Sequence, residues 1–337
     1  MTAAAPRPPS PQPADRAAAE EASAFGHDPV PPDATASYGA HPDQVVDFYR
    51  PAGAGTARPA PLVALLHGGA WREAHDRTHV SPLAAHLAAR GLAVASVEYR
   101  RGGTGGAAGG APGGATGGPE APGVPPGNGR QLPRQAEVQA QTAEPALPPA
   151  GRWPDTFDDV AAAMDALPAL ARDALGEDTV DPRRIVLTGH SAGGHLALWA
   201  AARHLLPADS PWHRPAPPAL RGVVALAPIA DFTSAIRLRV CSGAVLDLLG
   251  GPDHATDRLP HADPAALLPT GIATTIVHGT TDNEVPPQVS AAFARAAGAA
   301  GEEPTVAWLP ATGHFPLIDP SSDACTAVAD EIGQLAW

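Results

Sequence analysis

The motif Gly189-His190-Ser191-Ala192-Gly193 carries the clearest chemical signal in the sequence. It follows the apolar run Arg-Ile-Val-Leu-Thr, which predicts a strand, and it precedes an Ala- and Leu-rich run, which predicts a helix. Small residues on both sides of a serine permit a strained turn that holds the hydroxyl out above a sheet. The pattern therefore predicts that Ser191 is a nucleophile.

A serine hydroxyl is a weak nucleophile and needs a neighbouring base. His314 lies in a loop after the last predicted strand and before the terminal helix, and we predict that it is this base. His195 follows one helical turn after Ser191, where its side chain points away from the open side of the hydroxyl. His278 ends a predicted strand. We interpret His195 and His278 as packed core residues.

The base needs an acid that orients its ring. Asp282 follows the strand that ends near His278, within the run His-Gly-Thr-Thr-Asp-Asn-Glu-Val-Pro, and we predict that it is this acid. Its alternative role is a helix cap, because Asp is common near helix starts. Glu284 is the reserve acid. The order Ser191, Asp282, His314 places each residue after a parallel strand, at the sheet edge where open α/β sheets hold their sites.

A second glycine-rich loop, His67-Gly68-Gly69-Ala70-Trp71, follows another predicted strand. Glycines at this point allow backbone N–H groups to face the position where a tetrahedral oxyanion forms. We predict that Gly69 and Ala70 are such donors and that the N–H of Ala192 completes the oxyanion hole. No residue in this set requires a metal or an organic cofactor, and none is expected.

From about Val45 to its end, the chain resembles α/β-hydrolases of the hormone-sensitive-lipase and esterase group. The loop His67 to Trp71 is similar to the His-Gly-Gly-x-Trp loop of kynurenine formamidases (arylformamidases). Three further stretches also resemble that group, namely Glu98-Tyr99-Arg100-Arg101, Trp153-Pro154 and Phe157-Asp158-Asp159-Val160. The resemblance implies an α/β fold with a mainly parallel central sheet, helices on both faces and a small helical cap. It also implies that Ser191, Asp282 and His314 form the triad.

The rest of the sequence alternates between short aliphatic runs and Ala-rich stretches, a pattern typical of a mainly parallel sheet with crossover helices. The predicted strands are Val45 to Tyr49, Leu62 to Leu66, Leu92 to Val97, Arg184 to Thr188, Val223 to Ala227, Ala273 to Val277 and Thr305 to Leu309. The predicted helices are Val80 to Ala89, Thr156 to Ala174, Ala192 to His204, Pro287 to Ala297 and Asp323 to Leu335. Pro168 is expected to end or kink the second helix.

Two segments of low complexity lie outside the predicted folded domain: one precedes it and the other interrupts it. Residues 1–40 are rich in Ala and Pro and lack apolar periodicity, so we expect a disordered tail. Residues 103–150 are rich in Gly and Pro and are expected to form an insert. Residues 41–337 without the insert have the size of one large domain.

Composition excludes several classes of protein. The net charge of the 337-residue chain is −13 and every basic residue is Arg, so there is no basic footprint for nucleic acid. No apolar run is long enough to span a bilayer, and the first residues lack the pattern of a secretory signal. Two cysteines make neither a disulfide framework nor a metal site. The sequence therefore favours a cytoplasmic protein without membrane or nucleic-acid partners, and it leaves the oligomeric state open.

The leading hypothesis is a metal-independent serine hydrolase that acts on a small ester or amide, with an aryl formamide implied by the resemblance. The alternatives are an exopeptidase on the same fold and an inactive binding protein with a hydrolase fold. A Gly-x-Gly-x-x-Ala match at Gly103 is not followed by a helix, so nucleotide binding is not supported. We expect Trp71, Trp153, Phe232 and Leu246 to line the substrate pocket, although a core role is open for each.

Overall fold

An eight-stranded sheet organises the part of the chain that the computed structural model describes, which is residues 13–53, 58–103 and 151–337. The strand order is β1-β2-β4-β3-β5-β6-β7-β8. β1 and β2 are antiparallel to their neighbours, and all pairs from β4 to β8 are parallel. The strands are β1 (Ala34–Ser37), β2 (Val45–Tyr49), β3 (Ala60–Leu66), β4 (Ala93–Val97), β5 (Val180–His190), β6 (Gly222–Leu226), β7 (Thr274–Gly279) and β8 (Thr305–Leu309).

The helices of the described residues connect these strands or, as α1 and α9 do, precede and follow them in the chain. They are α1 (Pro13–Ala24), α2 (Ser81–Ala89), α3 (Asp155–Leu175), α4 (Ala192–Ala201), α5 (Phe232–Arg237), α6 (Ala244–Leu248), α7 (Ala255–Ala262), α8 (Gln288–Ala299) and α9 (Asp323–Ala336). The short helices α5, α6 and α7 follow one another between β6 and β7, in the segment expected to form the cap.

Both faces of the sheet are covered by helices. Leu62, Ala64 and Leu66 of β3 belong to a buried cluster that includes apolar residues of α3 and α4. Val63 and Leu65, which alternate with them, belong to a second cluster that includes residues of α2 and α9. Successive side chains of a strand point to opposite faces, so the near-continuous apolar run of β3 is the pattern of a strand buried on both sides. This arrangement confirms the predicted mainly parallel α/β sheet.

All seven predicted strands are present, and two of them, Val45–Tyr49 and Thr305–Leu309, have the predicted bounds. The five predicted helices also form, with ends shifted by a few residues. Strand β1 and helix α1 were not predicted, and the expected helical cap is present as α5, α6 and α7, whose bounds were not predicted. Strand β1 has four residues, and α5 and α6 have six and five. Elements this short are set by their tertiary contacts and show little periodicity of their own.

Residues 13–40 do not form the expected disordered tail, so that prediction is wrong for the described part of it. Residues 13–24 form α1, and residues 34–37 add β1 to the edge of the sheet. Alanine and glutamate favour helix, and α1 is stabilised by contacts with the loop of His314 that no local pattern reveals. Residues 1–12 lie outside the described residues.

Pro168 neither ends nor interrupts α3, which continues from Asp155 to Leu175. The missing N–H of a proline removes one helical hydrogen bond. Leu167, Ala171 and Leu175, on both sides of the proline, are buried in the core. The packing of this apolar face therefore holds the helix together across Pro168.

The two ends of the predicted insert meet at one backbone oxygen. The N–H groups of Gly102 and Gly151 both donate to the carbonyl of Trp71, at N···O distances of 2.9 and 2.8 Å. Residues 104–150 of the predicted insert lie outside the described residues. The chain therefore enters and leaves this segment at the same point, beside the loop that contains Gly69 and Ala70.

We predict that replacing residues 104–150 by a short Gly-Ser linker leaves a folded protein. Gly102 and Gly151 remain in place and already lie side by side, and shortening a loop changes its closure entropy only slightly. Thermal unfolding followed by circular dichroism should show one cooperative transition within a few degrees of the full-length chain. An insoluble product, or loss of the cooperative transition, would show that the segment is part of the core.

Candidate active site

Ser191 occupies a strained turn between the end of β5 and the start of α4. Its backbone angles are φ 57° and ψ −116°, a conformation that non-glycine residues rarely adopt. A Cβ on Gly189 would lie 2.3 Å from the carbonyl oxygen of Gly193, and one on Gly193 would lie 2.1 Å from that of Leu66. The two glycines of the motif are therefore required because backbone segments touch at this turn.

His314 and Asp282 form a buried pair on two neighbouring loops. The Nδ1 of His314 lies 2.7 Å from Oδ2 of Asp282. Gly279 brings the loops together, because a Cβ at this position would lie 2.2 Å from the carbonyl oxygen of Thr312. Because Nδ1 of His314 is bonded to Asp282, Nε2 is the ring nitrogen that can exchange a proton with another group.

The carboxylate of Asp282 accepts hydrogen bonds on both oxygens. Its Oδ1 accepts from the backbone N–H groups of Glu284 and Val285, each at 2.9 Å. Burial raises the pKa of Asp282, but the charge of His314 and the hydrogen bonds from His278 and His314 outweigh it and hold the pKa well below its ordinary value. The N-cap of α8 is Pro287, so Asp282 does not cap that helix.

His278 is buried, as predicted, but it also contacts the acid. Its Nε2 lies 3.2 Å from Oδ2 of Asp282 and 2.9 Å from the carbonyl oxygen of Val285. Both neighbours are acceptors, so Nε2 carries a proton. Its Nδ1 lies 2.7 Å from Oγ of Ser290. Asp282 is therefore held between two imidazoles. The sequence signal for the contact between His278 and Asp282 was their spacing of four residues across the end of a strand.

His190, next to the nucleophile, fixes the loop of the proposed base. Its Nε2 donates to the carbonyl oxygen of His314 at 3.0 Å, and the two ring centroids lie 4.3 Å apart. Burial and the neighbouring His314 lower the pKa of His190 well below its ordinary value. The His190 ring therefore stays neutral and acts as a fixed donor.

The loop from His67 to Trp71 runs beside Ser191. Gly69, Ala70 and Trp71 have φ values of 99°, 51° and 57°, so three successive residues are in the left-handed region. A Cβ on Gly68 would lie 3.4 Å from Cβ of Ser191. Gly69 and Ala70 line the same cavity as Ser191, and Ala192 is the buried first residue of α4.

A buried histidine–carboxylate pair packs against this loop. The Nε2 of His67 lies 2.9 Å from Oε1 of Glu98, and its Nδ1 lies 2.9 Å from the carbonyl oxygen of Gly68. Burial raises the pKa of Glu98, but His67 and Arg101 outweigh it and lower this pKa to about 2. The Tyr99 ring stacks on His67 with centroids 4.3 Å apart.

A cavity of about 330 Å³ opens above these groups. The predicted site residues that line it are Ser191, His314, Gly69 and Ala70. The other lining residues are Glu21, Phe25, Arg72, Ala74, His75, His79, His190, Cys241, Ser242, Glu284, Phe315 and Ile318. A larger depression, of about 590 Å³, lies near the starts of β3 and β5 and includes none of the predicted site residues. The smaller cavity is therefore the candidate active site.

The four residues that were expected to line the substrate pocket are not among the residues that line this cavity. Trp71 and Phe232 have no exposed surface and pack with His195 in the core. Trp153 packs against Phe157 and Trp212, and Leu246 is partly buried in α6. Trp71 and Phe232 therefore belong to the core, Trp153 packs against it, and none of the four predicted residues lines the candidate active site. Glu21 and Phe25 were missed because they belong to the segment expected to be disordered.

The described residues, 13–53, 58–103 and 151–337, contain neither a metal-binding cluster nor a membrane-spanning helix. No group of three or more His, Cys, Asp or Glu side chains in these ranges is placed to hold a metal ion. None of the helices within the same ranges is long and apolar enough to cross a membrane.

The profile of the BD-FAE family matches residues 147–296. A probable carboxylic ester hydrolase of Mycobacterium tuberculosis, LipM, is 26% identical over 285 residues, which cover 81% of this chain and 53% of the relative. The chain thus spans about half the length of this curated relative.

Solved structures of esterases superpose on most of the chain. A truncated carbohydrate esterase from gut microbiota is 19% identical, with a TM-score of 0.64 over 92% of this chain and 99% of that one. Esterase B from Lactobacillus rhamnosis, inhibited by a tributyrin phosphonate, is 19% identical, with a TM-score of 0.64 over 96% and 92%. The protein has the α/β-hydrolase fold, with a mostly parallel sheet covered by helices.

We predict that Glu98→Gln reduces the acid sensitivity of the fold. The folded pKa of Glu98, about 2, lies below its ordinary value of 4.5. The ionised carboxylate therefore stabilises the protein fully above pH 4.5, and this contribution is lost as the pH falls from 4.5 to 2. Urea unfolding across this range should show a smaller loss of unfolding free energy in the variant than in the wild type.

The matched control is Glu177→Gln, because Glu177 has an exposed side chain. Its pH dependence should equal that of the wild type. An unchanged slope in Glu98→Gln would contradict the role assigned to the His67–Glu98 pair.

Proposed function

We propose that the protein is a serine hydrolase that cleaves a small carboxylic ester through an acyl-enzyme. Ser191 attacks the ester carbonyl while His314 takes the hydroxyl proton. The tetrahedral intermediate collapses as His314 gives this proton to the leaving alcohol, and water then releases the acid from Ser191 by the same route. Asp282 fixes the tautomer of His314 and stabilises its charged form. The N–H groups of Gly69, Ala70 and Ala192 are the proposed oxyanion donors.

The observation that carries the proposal is the His314–Asp282 hydrogen bond at the edge of a cavity that Ser191 also lines. A buried carboxylate with a strongly lowered pKa remains ionised at neutral pH. It can therefore stabilise a positive charge on His314 while Ser191 is acylated. The strained backbone of Ser191 adds support, because such strain is concentrated at functional sites.

Carboxylic esters are favoured as the substrate class by the relatives. The curated relative is described as a probable carboxylic ester hydrolase, and the superposed structures are a carbohydrate esterase and esterase B from Lactobacillus rhamnosis. The alternative substrate, an aryl formamide, is supported only by the similarity of the His67 to Trp71 loop to that of arylformamidases. A panel of short nitrophenyl esters and N-formylkynurenine, compared by kcat/KM, separates the two classes.

We predict that Ser191→Ala lowers the hydrolysis of nitrophenyl acetate by a factor on the order of 10⁴ or more, because the nucleophile is removed. The melting temperature should stay close to that of the wild type, since only one oxygen is lost. A fluorophosphonate probe should label the wild type at Ser191 and leave the variant unlabelled. Wild-type turnover in the variant would disprove the assignment, and a folded wild-type protein that resists labelling would favour an inactive binding protein.

We predict that His278→Leu lowers kcat by about ten- to a hundredfold with little change in KM, because Asp282 loses a donor and orients His314 less well. His278→Gln should restore most of the rate, since its amide nitrogen can replace the imidazole Nε2. Steady-state kinetics and melting temperatures of both variants make the test.

Ser290→Ala is the companion variant, because it removes the hydrogen bond to Nδ1 of His278 and leaves Asp282 untouched. It should reduce kcat less than His278→Leu does. If His278→Leu lowers only the melting temperature and keeps the wild-type kcat, His278 serves the core alone.

A further inference from the structure

Four aromatic side chains form a continuous part of the cavity lining, which we call the aromatic wall: Phe25, His75, His79 and Phe315. The Phe25 ring stacks on His75 with centroids 5.2 Å apart and an interplanar angle of 20°. Its centroid lies 5.7 Å from that of His79 and 5.3 Å from that of Phe315. Phe25 is therefore the centre of the wall.

The two imidazoles of the wall are uncharged at neutral pH. Burial, followed by the proximity of His67, lowers the pKa of His75, and burial with the same neighbour lowers the pKa of His79 to about 3. Neutral imidazole rings present flat, weakly polar faces. The wall is thus suited to a flat apolar group rather than to an ion.

Phe25 is held in place because α1 and the residues after it are bound to the segment that follows His314. The Oγ of Ser23 donates to Oδ2 of Asp319 at 2.5 Å, and Nε2 of His27 lies 2.7 Å from Oδ1 of the same carboxylate. A Cβ on Gly313 would meet the carboxylate of Glu20. The segment expected to be disordered is therefore packed against the loop of the proposed base.

Another part of the lining is polar. It contains Arg72, Cys241, Ser242 and Glu284. Arg72 donates to the carbonyl oxygen of Cys241 at 3.2 Å and lies 3.5 Å from the carboxylate of Asp247. The cavity therefore offers two chemically different surfaces to a substrate, and the aromatic one includes the residue that follows His314.

The proposed reaction decides which part of an ester lies at the aromatic wall. His314 gives its proton to the leaving oxygen, so the alcohol part must lie next to this imidazole. Phe315 follows His314 directly, and the two ring centroids are 5.2 Å apart. The wall thus begins where the leaving group departs.

We propose that the aromatic wall is the subsite for the alcohol part of the substrate and that Phe25 makes it selective for aryl or arylalkyl alcohols. This inference rests on the proposed function, because the position of the leaving group follows from the role of His314. It extends that function from small esters in general to esters whose alcohol carries a flat apolar ring.

The test compares benzyl acetate with ethyl acetate, whose acyl groups are identical and whose alcohols are similarly poor leaving groups. In Phe25→Ala, the benzyl-to-ethyl ratio of kcat/KM should fall about tenfold, the value expected for one lost aromatic contact. Phe25→Tyr keeps the ring and should keep the ratio. Leu205→Ala, which shortens an exposed side chain outside the cavity lining, is the matched control and should leave the ratio unchanged.

Two further measurements make the result decisive. The ratio of ethyl butyrate to ethyl acetate should be the same in Phe25→Ala and the wild type, because only the acyl part differs. Benzyl alcohol should bind to Ser191→Ala, and adding Phe25→Ala should weaken this binding, as measured by an NMR titration that requires no turnover. Binding of this kind without hydrolysis by the wild type would overturn the proposed function, and with it the assignment of the wall to a leaving alcohol, and would leave only an aryl-binding surface at Phe25.

The subsite is overturned by any of three results. The benzyl-to-ethyl ratio in Phe25→Ala stays within twofold of the wild type, the acyl-chain ratio changes as much as the benzyl-to-ethyl ratio, or Phe25 makes no difference to the binding of benzyl alcohol. Each of these results can be obtained while the wild type hydrolyses esters. It would therefore contradict the subsite without contradicting the proposed function.

Discussion

The buried carboxylate of Asp282 is the group on which the rest of the site depends. A charge without solvent is costly unless donors surround it. Here the donors are two backbone N–H groups and two imidazoles, from β7, the loop after it and the loop after β8. The same hydrogen bonds that stabilise the charge also fix the orientation of His314. One set of hydrogen bonds therefore both stabilises the ionised carboxylate of Asp282 and aligns His314, the proposed base.

Close backbone contact is the second constraint on the site. Gly189, Gly193 and Gly279 each lie where a Cβ would collide with a neighbouring carbonyl oxygen. These contacts draw the ends of β3 and β5, and the loops after β7 and β8, into a small volume. Only glycine permits this approach, so the glycines set the distances within the site while the polar side chains supply its chemistry.

The sheet could be predicted because each strand from β2 to β8 appears in the sequence as an apolar run followed by a loop or a helix start. The position of Ser191 could be predicted for the same reason, since the strand, the turn and the helix are adjacent in sequence. The cavity lining could not. Phe25 lies in a segment without apolar periodicity, and its place beside His75 and Phe315 depends on contacts between residues far apart in the chain.

The sequence by itself determined the mainly parallel sheet, the strained turn at Ser191 and the order of the three candidate triad residues, because these follow from local patterns at strand ends. Only the tertiary structure decided that His278 shares the carboxylate of Asp282, that Trp71 and Phe232 belong to the core, and that α1 closes one side of the cavity. The physical reason is that burial and hydrogen bonding depend on which distant segments meet. The type of a residue limits which contacts it can make, but it does not determine which distant residue it will contact.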